Sequence, residues 1–137
     1  MSQDIRNLDP MPLWNHFADL NAVPRPSKKE ERVIAFMKKF GEDLGLETLV
    51  DEVGNVIIKK PATKGMENRK AIVLQSHLDI VKKKNNDTVF DFDTQGIDMY
   101  IDEDWVRAKG TTLGADNGIG VATIMAILAA TEIEHPA

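Results

Sequence analysis

An α/β sandwich is predicted by three features of this 137-residue sequence: two helical apolar patterns in its first third, a compact apolar run at Ala71–Leu74, and a third helical pattern entered through a glycine-rich turn. The first pattern runs from Pro12 to Ala22. Leu13, Phe17 and Leu20 fall on one helical face, and Pro12 suits a first turn because the N–H it lacks would have no partner there. Val23-Pro24-Arg25-Pro26 interrupts the helix. Ser27 followed by Glu30 forms a capping-box pattern ahead of Val33, Met37, Phe40 and Leu44, so a second helix is predicted to end near Gly45.

Two short apolar runs, Leu46–Val50 and Val56–Ile58, flank the turn residues Asp51-Glu52-Val53-Gly54-Asn55 and predict adjacent strands. Lys60 to Arg69, with Pro61 and Gly65, reads as a loop. Ala71-Ile72-Val73-Leu74 has the composition of a strand covered on both faces, ending in Gln75-Ser76-His77-Leu78-Asp79. Lys82 to Gln95 is mainly polar. Met99–Ile101 and Trp105–Ala108 flank Asp102-Glu103-Asp104 as a hairpin. After the glycine-rich turn at 110–120, Val121, Ile124, Met125 and Leu128 share a face, which predicts a helix from Gly118 to Ala130. The closing Glu132–Ala137 reads as a loop leading towards a further strand, the pattern of a fragment.

With 42% hydrophobic and 28% charged residues, the sequence is that of one soluble globular domain with a single core. No apolar run is long enough to span a bilayer, and the start, Met1-Ser2-Gln3-Asp4-Ile5-Arg6, has no secretory pattern, so a cytoplasmic location is expected without membrane association. With no cysteine, a metal site would draw on His, Asp and Glu, which favours Zn, Mn or Co over iron-sulfur chemistry. A net charge of -5 argues against nucleic acid as a partner, and Lys82-Lys83-Lys84 reads as a solvated loop.

His77 and Asp79 stand two apart at the end of the apolar run, where strand periodicity puts both on one face. A carboxylate there can fix the tautomer of a metal-binding imidazole, and a plain hydrogen-bonded histidine accounts for the same spacing. Asp116 enters a helix among Gly114, Gly118 and Gly120. It suits either a carboxylate shared by two cations or an ordinary helix cap. The glycines fall as G-x-x-x-G-x-G without a following Gly-Lys-Ser/Thr, which argues against a phosphate loop. His16 and His135 have no second ligand at useful spacing and read as structural, and Asp102, Glu103 and Asp104 read as a solvated turn.

Ser76-His77-Leu78-Asp79-Ile80-Val81 together with Gly114-Ala115-Asp116-Asn117-Gly118 resembles the zinc exopeptidase family of carnosinases, aminoacylases and bacterial aminoacyl-histidine dipeptidases. The similarity to the last group is close. It extends through Val23-Pro24-Arg25-Pro26-Ser27-Lys28, Asp51-Glu52-Val53-Gly54-Asn55-Val56, Lys60-Pro61-Ala62-Thr63, Gly65-Met66-Glu67-Asn68-Arg69, Lys84-Asn85-Asn86-Asp87-Thr88 and Gly110-Thr111-Thr112-Leu113.

The resemblance implies the N-terminal portion of a three-layer α/β/α metallopeptidase catalytic domain over residues 1–137. It also implies two divalent metals, Zn foremost with Mn or Co as alternatives. His77 then corresponds to a ligand of one metal, Asp79 to the catalytic acid orienting it, and Asp116 to the carboxylate bridging both, with a cis Asp116–Asn117 bond. The family's adjacent glutamates, one of them the general base, have no counterpart in these residues, nor do its later Asp and His ligands or the inserted domain that closes over substrate and mediates homodimerisation. Lys82 stands where the family commonly has proline. The implied reaction is hydrolysis of small unblocked dipeptides, with Xaa-His as the implied substrate, by a water between the metals, and the 137 residues alone are expected to be inactive. The rival reading is a noncatalytic α/β module that binds peptide or metal.

Overall fold

In the computed structural model, which describes residues 3–137, a short 3-10 turn at Gln3–Asn7 leads into α1, Met11–Asn21. Met1 and Ser2, part of the start read for a secretory pattern, lie outside the described residues. Pro12 occupies the first turn of α1 as predicted, and Phe17, Ala18, Leu20 and Asn21 are its buried residues.

Helix α2, Glu31–Asp43, buries Val33, Met37 and Gly41 at intervals of four, a single stripe facing inward. The predicted capping box does not form. Ser27 lies before the helix start, and its hydroxyl is directed to the Asp79 carboxylate at 2.5 Å with the Ile80 carbonyl at 3.1 Å. Donating to that charged acceptor turns the hydroxyl towards Asp79 and away from the helix start. The Glu30 carboxylate accepts instead from the Lys28 backbone N–H at 2.9 Å.

Strands β1, Glu47–Val50, and β2, Val56–Lys59, pair antiparallel from Glu47 opposite Lys59 to Val50 opposite Val56. Their turn is held by Asp51, whose Oδ1 accepts from the backbone N–H groups of Val53 and Asn55 at 3.0 and 2.8 Å. Strands β3, Met99–Asp102, and β4, Trp105–Ala108, form a second antiparallel hairpin. The α/β class is as predicted, with the strands among the described residues arranged as two separate two-stranded sheets.

One predicted strand is absent. Ala71–Leu74 forms no ladder, and it lies open to solvent, with Val73 88% exposed. A buried strand needs hydrogen-bonded neighbours and cover on both faces. Here the backbone bond of this run is that of the Ile72 N–H to the Ala137 carbonyl at 2.9 Å. Pairing resumes at Ile80, which bridges in parallel to Pro26: the Ile80 N–H donates to Arg25 O and the Ser27 N–H to Ile80 O.

Helix α3, Ala115–Ala129, packs along α1 and begins earlier than Gly118, though Asp116 and Asn117 depart from helical dihedrals. Val121 and Met125 of its predicted face are buried, joined by Gly118 and Ala122. Two apolar clusters meet along the α1–α3 pair instead of one. Phe17, Ala18 and Ala122 belong with Ile5, Ile80, Ile97 and Met99. Leu20, Val121 and Met125 belong with Val33 and Met37. Among the described residues no helix is long and apolar enough to cross a membrane.

Candidate active site

The turn into α3 needs a residue that accepts a positive φ. Gly114 does so at φ 79°, and the chain then passes through a cis Asp116–Asn117 bond, as the resemblance implies. The Asp116 carboxylate does not cap the helix. It stands 98% exposed, and the capping role falls to Asn117, whose Oδ1 accepts from the Gly120 N–H at 3.1 Å.

The residues after Leu74 bring His77 to this carboxylate from 39 positions away. His77 Nε2 lies 3.1 Å from Asp116 Oδ1, while Nδ1 lies 3.2 Å from Asp79 Oδ1 and 3.1 Å from the Asp79 carbonyl. The ring is therefore fixed between two acids, one at each nitrogen. His77 and Asp79 lie side by side outside any strand, not on the strand face their spacing predicted, and all three predicted site residues come together.

Partial burial works against charge on the His77 ring. Its hydrogen bonds to the Asp116 carboxylate and the Asp79 carbonyl, with the negative charges of both acids, outweigh that effect and hold its pKa above the ordinary value. Asp79 is shifted the other way. The Ser27 hydroxyl is the main cause, opposed by burial and assisted by His77, and the carboxylate is held below its usual range. With Nδ1 facing Asp79, Nε2 stands 3.1 Å from Asp116 Oδ1, a gap that a proton spans when the ring is charged. A cation could replace that proton, since an imidazole nitrogen and a carboxylate oxygen are both ligands for borderline divalent metals. Among the described residues no cluster of three or more His, Asp or Glu completes a metal cage.

The other two histidines make their contacts elsewhere. His16 sits edge-on to Phe40 with ring centroids 5.4 Å apart, and burial lowers its pKa against the pull of Asp19. The His135 backbone N–H donates to Thr63 Oγ1 at 2.9 Å. Asp102 pairs with Arg107 at 2.7 Å in the solvated β3–β4 turn.

Sequence reasoning missed the support beneath the site. Arg25, 1% exposed, donates through Nη1 to the Leu78 carbonyl at 2.9 Å, and through Nη2 to Gly114 O at 3.0 Å and Asn21 Oδ1 at 2.6 Å. Asn21, also buried, donates to the Leu113 carbonyl at 3.0 Å. An arginine between two prolines reads as a surface loop, and no periodic signal marks it as interior. Asn21 falls on the buried face of α1, one residue beyond the predicted Leu20, and a polar residue there was the available cue.

Solved peptidases carry this fold. An aminopeptidase PepT from Bacillus cereus superposes with a TM-score of 0.71 at 25% identity, covering 94% of this chain and 35% of its own. A tripeptidase from Staphylococcus aureus, at 20% identity and a TM-score of 0.73, shows the fold alone, with 94% and 35% covered. The similarity becomes specific with dipeptidases. The aminoacylhistidine dipeptidase from Vibrio alginolyticus matches with a TM-score of 0.94 and 51% identity over 96% of this chain. The cytosol non-specific dipeptidase of Escherichia coli is 50% identical over 132 residues, again 96% of the chain. The resemblance read from the motifs is thus borne out. The chain spans about 27% of the length of each of these two dipeptidases. No protein-family model matches it.

Proposed function

We propose that these residues are the N-terminal part of a cytoplasmic, metal-dependent dipeptidase that hydrolyses small unblocked dipeptides, Xaa-His among them. The observation that carries this reading is the His77 ring set between Asp79 and Asp116 at 3.2 and 3.1 Å. That arrangement fixes one imidazole nitrogen by a carboxylate and offers the other, beside a second carboxylate, to a cation. The 50% identity to a cytosolic dipeptidase supports the reaction class and the location.

In this reading His77 and Asp116 are the ligands contributed by this chain, and Asp79 holds the His77 ring in its binding tautomer. A pair of divalent cations, Zn or its relatives Mn and Co, supplies Lewis acidity for polarising the scissile carbonyl and activating water. The general base and remaining ligands belong to chain beyond these residues, as does the surface for homodimerisation. The 137 residues alone are inactive.

The test uses the protein from its full reading frame, assayed on a dipeptide panel with Zn²⁺ or Mn²⁺ and after chelation. Chelation abolishes turnover. His77→Ala and Asp116→Ala each cost more than the roughly 10- to 100-fold lost when a ligand-supporting residue is removed. Because Asp116 is 98% exposed, its replacement leaves stability within about 0.5 kcal/mol. Metal-independent turnover, or full activity in Asp116→Ala, refutes the assignment. Metal binding without turnover by the full-length protein favours a noncatalytic binding module.

A further inference from the structure

A guanidinium buried to 1% exposure is an expensive way to fill a core, because a charge taken out of water must be matched by partners of equal quality. Among the described residues Arg25 forms no ion pair, and its Nε is buried without a hydrogen-bond partner. Burial lowers its pKa to about 10, against the pull of Asp79, so it stays charged at neutral pH. The bonds it does make go to three oxygens, and two of these belong to the loops of the candidate site. Leu78 O lies between His77 and Asp79, and Gly114 O lies two residues before Asp116. Within the site itself the direct links are His77 to Asp116 and the Ser76 hydroxyl to Asn117 O at 3.2 Å, and further along the Thr112 hydroxyl donates to Val81 O at 2.8 Å and the Thr112 N–H to Lys83 O at 2.9 Å.

The glycines beside Arg25 report how closely it is fitted. A Cβ added at Gly114 or at Gly118 would lie 2.8 or 2.7 Å from Arg25 Nη2. At Gly118 the three nearest atoms to such a carbon all belong to the guanidinium. The start of α3 is therefore shaped around this one side chain. The planar fork of arginine presents two nitrogens at fixed separation, which a lysine ammonium does not.

We infer that Arg25 is a positioning residue whose buried guanidinium clamps the Leu78 and Gly114 carbonyls and thereby sets the separation of His77 from Asp116. It does not touch substrate. The clamp would keep the two loops in register whether or not a cation lies between them. The metal readout below rests on the proposed dipeptidase reading, and the direct geometric readout does not.

The test is NMR on the full chain without metal, reading the NOE between the His77 ring and the Asp116 β-protons. Protection of the Gly118 and Ile80 amides is followed beside that of the β1–β2 hairpin. The wild-type NOE should be present. In Arg25→Lys and Arg25→Met it should vanish while the hairpin amides keep their protection. Gly118→Ala covers the case in which both Arg25 variants unfold. Alanine is the better helix former, so loss of the NOE in that variant, with none of the hairpin protection lost, would act through the displaced guanidinium.

In parallel, Mn²⁺ affinity should fall about 10- to 100-fold in each variant, the cost of removing a ligand-supporting residue. An NOE missing from the wild type, or undiminished in a folded Arg25→Lys, Arg25→Met or Gly118→Ala chain, overturns the clamp. A wild-type chain that shows the NOE and loses it on substitution, yet whose full-length form binds no metal, keeps the clamp and sinks the dipeptidase reading.

Discussion

Replacing Asn21 with alanine tests the support beneath the candidate site at its base. Asn21 is fully buried, accepts from Arg25 Nη2 at 2.6 Å and donates to the Leu113 carbonyl at 3.0 Å. The bond from the guanidinium is charge-assisted and contributes about 1.5–3 kcal/mol, and the neutral one about 0.5–1.5 kcal/mol. Its contact with the Met99 sulfur at 3.2 Å is weak and adds little. Asn21→Ala should therefore cost about 2–4 kcal/mol, since both partners are left without it. At about 2.1 cal/mol/K of unfolding entropy per residue, 137 residues give roughly 0.29 kcal/mol/K, which converts that cost to a fall in Tm of about 7–14 °C. Urea denaturation followed by circular dichroism measures the first figure, and a thermal scan the second. A loss below about 1 kcal/mol with an unchanged m value would show that Arg25 and Leu113 find other partners, and the reasoning about a rigid buried network would fail.

Gly96→Ala should destabilise by about 1–3 kcal/mol, because the added Cβ would meet only backbone, at 2.8 Å from Ala22 Cα, Ala22 O and Asn21 O, and backbone cannot rotate aside. Denaturant titration checks this, and a neutral result would show that the α1 end yields. His16 should make stability depend on pH. Burial lowers its folded pKa, so the unfolded chain binds the proton first as pH falls below about 6.5, and stability declines through that window down to the folded pKa. Comparing the wild type with His16→Phe across pH 5–8 isolates this contribution from that of His77, whose raised pKa acts oppositely: its stabilisation is complete below about 6.5 and fades as pH rises through the folded value. An unchanged difference between wild type and variant across that range would contradict the assignment.

The two hairpins were legible because their signals are local: a turn sequence between two apolar runs fixes the pairing, and β3–β4 was read from Trp105–Ala108 opposite Met99–Ile101. Helix positions were legible for the same reason, down to Pro12 in the first turn of α1. Ala71–Leu74 was misread because composition reports what a segment could pair with, whereas a strand exists only once neighbours lie beside it. Ser27 was misread because the carboxylate that orients its hydroxyl, Asp79, is 52 positions away and no local pattern contains it. The site divides along the same line. His77 and Asp79 declare each other by spacing, Asp116 was matched to them by motif resemblance, and Arg25 becomes meaningful only when the fold has brought Leu78 and Gly114 to it.

The open run from Ala71 to Leu74 has a colloidal consequence. Ile72 is 62% exposed and Leu74 50%, and among the described residues the backbone beside them has little to bond with. An apolar stretch with idle amides and carbonyls is a template for another strand, and identical stretches on separate molecules satisfy one another readily. Arg69 and Lys70 place charge at one end of it alone, with uncharged Gln75 and Ser76 at the other. In a concentrated solution of this 137-residue chain, the run would be a point of contact between molecules.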